Sequence, residues 1–221
     1  TVAFLISATA ISAWRHHRHQ PRILWTTIAA FLLVGFEGWL GGRVVAHELA
    51  AWIVTAHLIV AIVIVQLLLF ATFEAFAPAP QAPAPKAPKA PAVIAVLILV
   101  TLVQAGFGTQ VRGHIETAIN AGVARDAALA TVGRLDYLHR DLAFVVLIGA
   151  SVLTLWLMSR RSPLVRWSFV TLALAVTQIL VGVAMAYVSL TPAAQVGHLT
   201  IASLLLGAET VLWLLSRRQI A

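Results

Sequence analysis

Apolar residues fill seven long stretches of this chain, separated by short polar or charged links. The stretches run over roughly residues 1–14, 23–42, 50–76, 92–111, 138–158, 164–188 and 194–216. Several hold 18 or more mostly apolar residues in a row, the length that predicts membrane-spanning helices. The first is too short to cross about 30 Å of hydrocarbon at about 1.5 Å per residue, so it reads as the tail of a helix that starts upstream of Thr1. Residues 77–91, APAPQAPAPKAPKAP, form a Pro/Ala spacer expected to be extended and polyproline-like. The pattern predicts an all-α membrane protein in three parts. A helix-bundle repeat covers residues 1–76, the cytoplasmic linker 77–91, and a four-helix repeat 92–221.

Polar residues inside the apolar stretches recur at a fixed distance. His57-Leu58-Ile59-Val60-Ala61 and His198-Leu199-Thr200-Ile201-Ala202 lie 141 residues apart. The same offset relates Glu37 to Gln178, twenty residues ahead of each histidine, and Gly41 to Gly182. Three features sharing one offset indicate an internal duplication. The second half holds four apolar stretches, and the first half holds only the last three of these. An even number of helices per repeat gives both copies the same orientation. The expected architecture is therefore two parallel-related four-helix bundles, the first incomplete at its N-terminus. Shifting His139 back by 141 residues places a further histidine about three residues before Thr1, on a helix expected among about fifty upstream residues.

Composition supports the membrane reading. The chain is 61% hydrophobic and 10% charged with a mean hydropathy of +0.94, more apolar surface than a soluble domain of 221 residues can bury. Its net charge of +7 sits in the links between apolar stretches, which fits membrane topology and not a nucleic-acid-binding stripe. There are no cysteines, which excludes disulfides, thiolate metal sites and iron–sulfur clusters. No charged segment precedes the opening stretch, so it does not read as a signal peptide. One set of links carries ten cations: Arg15, Arg18, Arg22, Lys86, Lys89, Arg160, Arg161, Arg166, Arg217 and Arg218. The alternate set carries five, Arg43, Arg112, Arg125, Arg134 and Arg140, offset by nearby carboxylates. The first set is therefore expected in the cytoplasm, with the C-terminus. His57, His139 and His198 then all enter the membrane from the outer side, each within about two turns, roughly 10 Å, of its helix end.

Three histidines at matched places in apolar helices are candidate heme-iron ligands, because neutral imidazole binds iron well and two can clamp a heme from different helices. His139 and His198 are expected on neighbouring antiparallel helices at similar depth, with Ala143, Gly197 and Ala202 leaving room for a flat ring. The alternative for any one of them is a hydrogen-bonded histidine near a helix end. Arg140 is a candidate contact for a heme propionate, the alternative being a snorkelling interfacial arginine. Tyr137 reads as an interface anchor and Asp136 as a helix N-terminal charge or cap. His16, His17 and His19 read as a solvated basic link, and His47 and His114 as exposed in outer loops. Glu37 and Glu209 are carboxyls within apolar helices, expected to be neutral or hydrogen-bonded. Glu37 also precedes Gly38 and Gly41, small residues that permit close helix packing.

These residues together resemble the heme A synthase family, an eight-helix protein of two similar four-helix halves, over nearly the whole chain. The resemblance rests on the two His-Leu-x-x-Ala strings, on His139-Arg140, and on Glu37-Gly38-Trp39-Leu40-Gly41-Gly42. Gly108-Thr109-Gln110-Val111-Arg112 is similar to bacterial members. The resemblance implies oxidation of a methyl group of heme O to a formyl, giving heme A for cytochrome oxidase. Two hydroxylations of one carbon would give a gem-diol that loses water. It implies heme b in the second half with His139 and His198 as axial ligands, and the substrate or product heme in the first half with His57 as a ligand. The family's Glu-x-x-His-Arg string, with the glutamate taken as catalytic, falls upstream of Thr1. Glu37 stands where the family often has glutamine, and the loop cysteines of many members are absent. The resemblance further implies a bacterial cytoplasmic membrane with heme sites toward the periplasm. A heme O donor (heme O synthase) and cytochrome oxidase assembly factors are the implied partners, with membrane lipid and no nucleic acid; homo-oligomerisation stays open. A bis-histidine b-type electron carrier and a non-catalytic heme-binding subunit of a respiratory assembly are the alternatives.

Overall fold

A computed structural model describes residues 2–76, 87–188 and 190–218. Seven α-helices follow in order: α1 (Val2–His16), α2 (Pro21–Ala46), α3 (Ala51–Phe76), α4 (Ala90–Asn120), α5 (Arg134–Ser159), α6 (Val165–Tyr187) and α7 (Pro192–Arg218). A 3-10 turn, Ala128–Thr131, lies between α4 and α5. Prolines open three of the helices: Pro21 in α2, Pro91 in α4 and Pro192 in α7, where the fixed φ suits the first turn and no intrahelical donor is lost. Arg217 and Arg218 close α7, favourable at the negative end of the helix dipole. Helices α2 to α7 are each long and apolar enough to cross a membrane. Helix α1, at 15 residues, is not. The protein is an all-α integral membrane protein. Its lipid-facing surface is apolar, with Leu99, Leu155, Leu180 and Leu204 exposed on α4, α5, α6 and α7.

The chain separates into two compact units, Thr1–Gln81 and Ala82–Ala221. In the first, α2 packs against both α1 and α3. Leu40 and Val44 of α2 meet Ile53 of α3 near the link between them. In the second, α4 packs on α5, α5 on α6, α6 on α7, and α7 back on α4, a closed four-helix bundle. Ile94, Leu97, Ala150, Leu153, Leu157 and Leu212 form its centre. Since each helix reverses the direction of the one before, α5 and α7 run the same way and face each other across the bundle diagonal. This corrects the expectation that His139 and His198 lie on neighbouring antiparallel helices. Both histidines stand near helix N-termini, and α6 intervenes in sequence.

Residues 77–86 of the expected linker lie outside the described residues, and its last two, Ala90 and Pro91, already belong to the first turn of α4. A second correction concerns residues 112–137, which separate the fourth and fifth apolar stretches and are expected from the sequence to form an outer loop. Helix α4 continues to Asn120, and α5 starts at Arg134. The reason is an amphipathic pattern hidden by the charges. Val111, Ile115, Ala118 and Ile119 share one face and pack on Ala128, Val132, Leu135 and Leu190, while Arg112, His114 and Glu116 do not join that cluster. His114 is thus exposed on a helix, not in a loop.

The bundle core holds one ionisable side chain that crosses between helices. Glu209 is fully buried on α7 and accepts a hydrogen bond from Thr101 Oγ1 on α4 at 2.9 Å. The position related to Glu209 by the 141-residue offset is Leu68. Replacing Thr101 by valine strands a buried carboxyl and is expected to cost about 1–3 kcal/mol. Glu209→Leu is expected to cost less, and Thr101→Val should be almost silent in its background, because removing both partners leaves nothing unsatisfied. Unfolding in detergent micelles measures both, and equal, additive losses would contradict the pairing.

Candidate functional site

Each of the three intramembrane histidines lies in the second turn of its helix: His57 in α3, His139 in α5 and His198 in α7. Each imidazole rests on a glycine of the preceding helix. A Cβ built on Gly41 would stand 3.4 Å from His57 Cε1, on Gly182 3.2 Å from His198 Cε1, and on Gly108 2.9 Å from His139 Cε1. At the last distance something must shift, so a side chain at Gly108 would displace the His139 ring. Four residues before each glycine, one turn along the same helix face, comes a polar side chain: Glu37, Gln104 and Gln178. The structure therefore contains one arrangement three times: polar residue, glycine one turn later, histidine on the next helix.

Gln104 is the member that the sequence reading passed over. Its spacing to Gly108 matches the other two pairs, but 31 residues separate Gly108 from His139, against 16 in each of the other two. The longer connection through α4's extension and the 3-10 turn hides the equivalence. The glycine expectations shift too. A Cβ on Gly38 would meet nothing within 4 Å, so only Gly41 of that pair is a packing glycine. Gly197 likewise has open space beside it, consistent with room near His198.

In the second unit, His139 and His198 face each other with ring centroids 6.5 Å apart and planes at 63°. Two imidazoles gripping one metal ion through bonds of about 2.0–2.1 Å hold their ring centres roughly 6 Å apart. Rotation about each metal–nitrogen bond leaves that separation unchanged, so the interplanar angle is compatible. His139 Nδ1 lies 3.1 Å from the backbone carbonyl of Gln104 and donates to it. That bond leaves Nε2 with the lone pair, the tautomer a metal ligand needs. The Gln104 amide nitrogen sits 3.4 Å from Nδ1 and 3.5 Å from Nε2. His198 Nδ1 is buried without a partner, and so is Gln178 Oε1. Both histidines are half-buried. Separation, tautomer and glycine cradles together fit a bis-imidazole heme site.

In the first unit, Glu37 Oε1 approaches His57 Nδ1 to 3.0 Å, although the pair is not aligned as a hydrogen bond. His57 has no imidazole facing it among the described residues of this unit. His16, at the end of α1, and His19 in the link after it are exposed, His17 between them is half-buried, and the three make local contacts to Ser12, Gln20 and Arg18. His47 closes α2, exposed, beside Arg43 Nη2 at 2.8 Å and the Trp52 ring.

Arg140 is held on two sides. It binds the Asp136 carboxylate in a fork, Nε to Oδ1 at 3.0 Å and Nη2 to Oδ2 at 2.8 Å, and its Nη1 donates to Tyr187 Oη at 3.0 Å. The guanidinium thereby ties α5 to the end of α6. Asp136 is in the first turn of α5 without capping it, the cap position being Gly133. Tyr137 is exposed, as an interface residue would be.

The chain was compared with known proteins. A family model described as cytochrome oxidase assembly protein (COX15-CtaA) matches residues 1–210. Comparisons with curated proteins and with solved structures returned no match.

Proposed function

Because the chain belongs to the COX15-CtaA family of cytochrome oxidase assembly proteins, the heme A synthase family, we propose that it is an oxidoreductase converting the methyl group of heme O to the formyl of heme A. Membership of this family implies heme binding. The single observation that supports the finer reading best is the His139–His198 pair at 6.5 Å in a closed apolar bundle.

Heme b is assigned to that pair. Held by His139 and His198, such a group would supply one-electron transfer. The chain's own contribution is positional. The Gln104 carbonyl sets the His139 tautomer, and Gly108 and Gly182 make space for the rings. The first unit is assigned the substrate, heme O, with His57 as its ligand and Glu37 against the ring. A membrane bundle offers a water-poor setting for methyl oxidation. The excess of arginine and lysine in one set of links supports a histidine end toward the periplasm and a cytoplasmic C-terminus. A heme O synthase is the expected source of substrate, and cytochrome oxidase assembly the destination of product.

Pyridine hemochrome spectra of the purified protein test this. Heme b together with heme O and heme A is the expected result. Heme b alone would make the protein an electron carrier, and no heme at all would overturn the reading. His57→Ala is expected to keep heme b and abolish heme A formation. Loss of both hemes in a folded variant would refute two separate sites.

A further inference from the structure

The three polar–glycine–histidine arrangements are not identical. His139 satisfies its Nδ1–H with a backbone carbonyl, so its tautomer does not depend on the Gln104 side chain. His57 and His198, the pair related by the 141-residue repeat, lack any such carbonyl partner. Each instead has a repeat-related polar side chain one turn before the glycine on which its ring rests: Glu37, whose Oε1 is 3.0 Å from His57 Nδ1, and Gln178, whose Oε1 is buried and unpaired as His198 Nδ1 is. Gln178 stands one turn from Gly182, whose missing Cβ lets His198 Cε1 and Nδ1 approach α6. An unpartnered acceptor and an unpartnered donor, on packed helices and at repeat-related places, account for each other.

We propose that Glu37 and Gln178 are the positioning residues of His57 and His198, and that the exchange of carboxylate for amide makes the two heme sites electronically unequal. The proposal rests on the heme assignment above. In this reading each imidazole donates its Nδ1–H to that side-chain oxygen, which leaves Nε2 with the lone pair a metal ligand needs. Partners of this kind fix ring orientation and raise ligand basicity. A carboxylate accepts such a bond more strongly than an amide oxygen does. His57 is thereby the more electron-rich donor, favouring the oxidised iron, and His198 the milder one, suited to passing an electron on. Within unit two, the amide keeps both ligands of the pair neutral and similar.

Reciprocal exchange tests this. The probe is the purified full chain carrying its own heme, read by spectroelectrochemical titration and by low-temperature electron paramagnetic resonance. Gln178→Glu is expected to lower the midpoint potential of the His139–His198 heme, with a tenfold shift toward the ferric state, about 59 mV for one electron. Glu37→Gln is expected to raise the potential of the heme bound at His57 by a similar factor and leave the other unmoved. Gln178→Leu is expected to broaden the low-spin resonance and weaken heme retention about 10–100-fold, while Gln178→Asn or Gln178→Glu retains it. Potentials unchanged in both exchanges, at full heme content, would overturn the proposal and leave the heme assignment standing. Should the unaltered protein show no heme signal dependent on His198, both fall together.

Discussion

Alanine at His139 or His198 is expected to abolish the six-coordinate, low-spin heme spectrum of the purified protein and to lower its heme content by one per chain. Either substitution leaves one imidazole where the geometry provides two. Because the rings sit 6.5 Å apart across the bundle diagonal, no other described histidine of the second unit takes the vacated place; His114 is exposed on the far extension of α4. His114→Ala and His47→Ala serve as controls and should leave the spectrum unaltered. A low-spin signal that survives in His139→Ala would remove the main support for the site. The effect is expected to be all-or-none, since second-sphere changes near a metal typically cost about 10–100-fold in affinity and loss of a ligand costs more.

Side chains added at the three cradle glycines should do harm in the order Gly108, Gly182, Gly41, following contact distances of 2.9, 3.2 and 3.4 Å. Gly108→Val is the severe case. Its Cβ alone displaces the His139 ring, and displacement breaks the Nδ1–H bond to the Gln104 carbonyl that selects the ligand tautomer. Overpacking of this kind costs about 1–3 kcal/mol in stability, and the loss of heme should exceed what that destabilisation explains. Gly42→Ala, with nothing within 4 Å of the new methyl, is the matched control and should gain about 0.5–1 kcal/mol as a helix-interior substitution. Heme-to-protein ratio and thermal unfolding in detergent, measured on the same preparations, separate the two effects. A Gly108→Val protein with full heme would show that the ring is free to move.

Much of this was legible before any coordinates. Six spanning helices follow from apolar length, and the 141-residue offset singled out His57, His198, Glu37, Gln178, Gly41 and Gly182. What the sequence hid has physical causes. Residues 112–120 read as a loop because charges interrupt the apolar run, yet Ile115, Ala118 and Ile119 still face a small core around Ala128 and Val132. Gln104 escaped notice because its histidine is reached through a longer connection than in the other copies. Glycine spacing alone made Gly38 look like a packing residue; only the imidazole's position shows that Gly41 is the one in contact. Adjacency on the page suggested neighbouring helices for His139 and His198, whereas a ring of four antiparallel helices sets every second helix side by side in direction and apart in space.

That diagonal has a consequence for how the second unit holds together. The hairpin of α4 and α5 carries one imidazole and the hairpin of α6 and α7 carries the other, with the 160–164 connection as the covalent tie between them. A chain nicked there would yield two halves, each with one of the two imidazoles proposed to grip the porphyrin. Their reunion would be stitched by iron as much as by packed leucines.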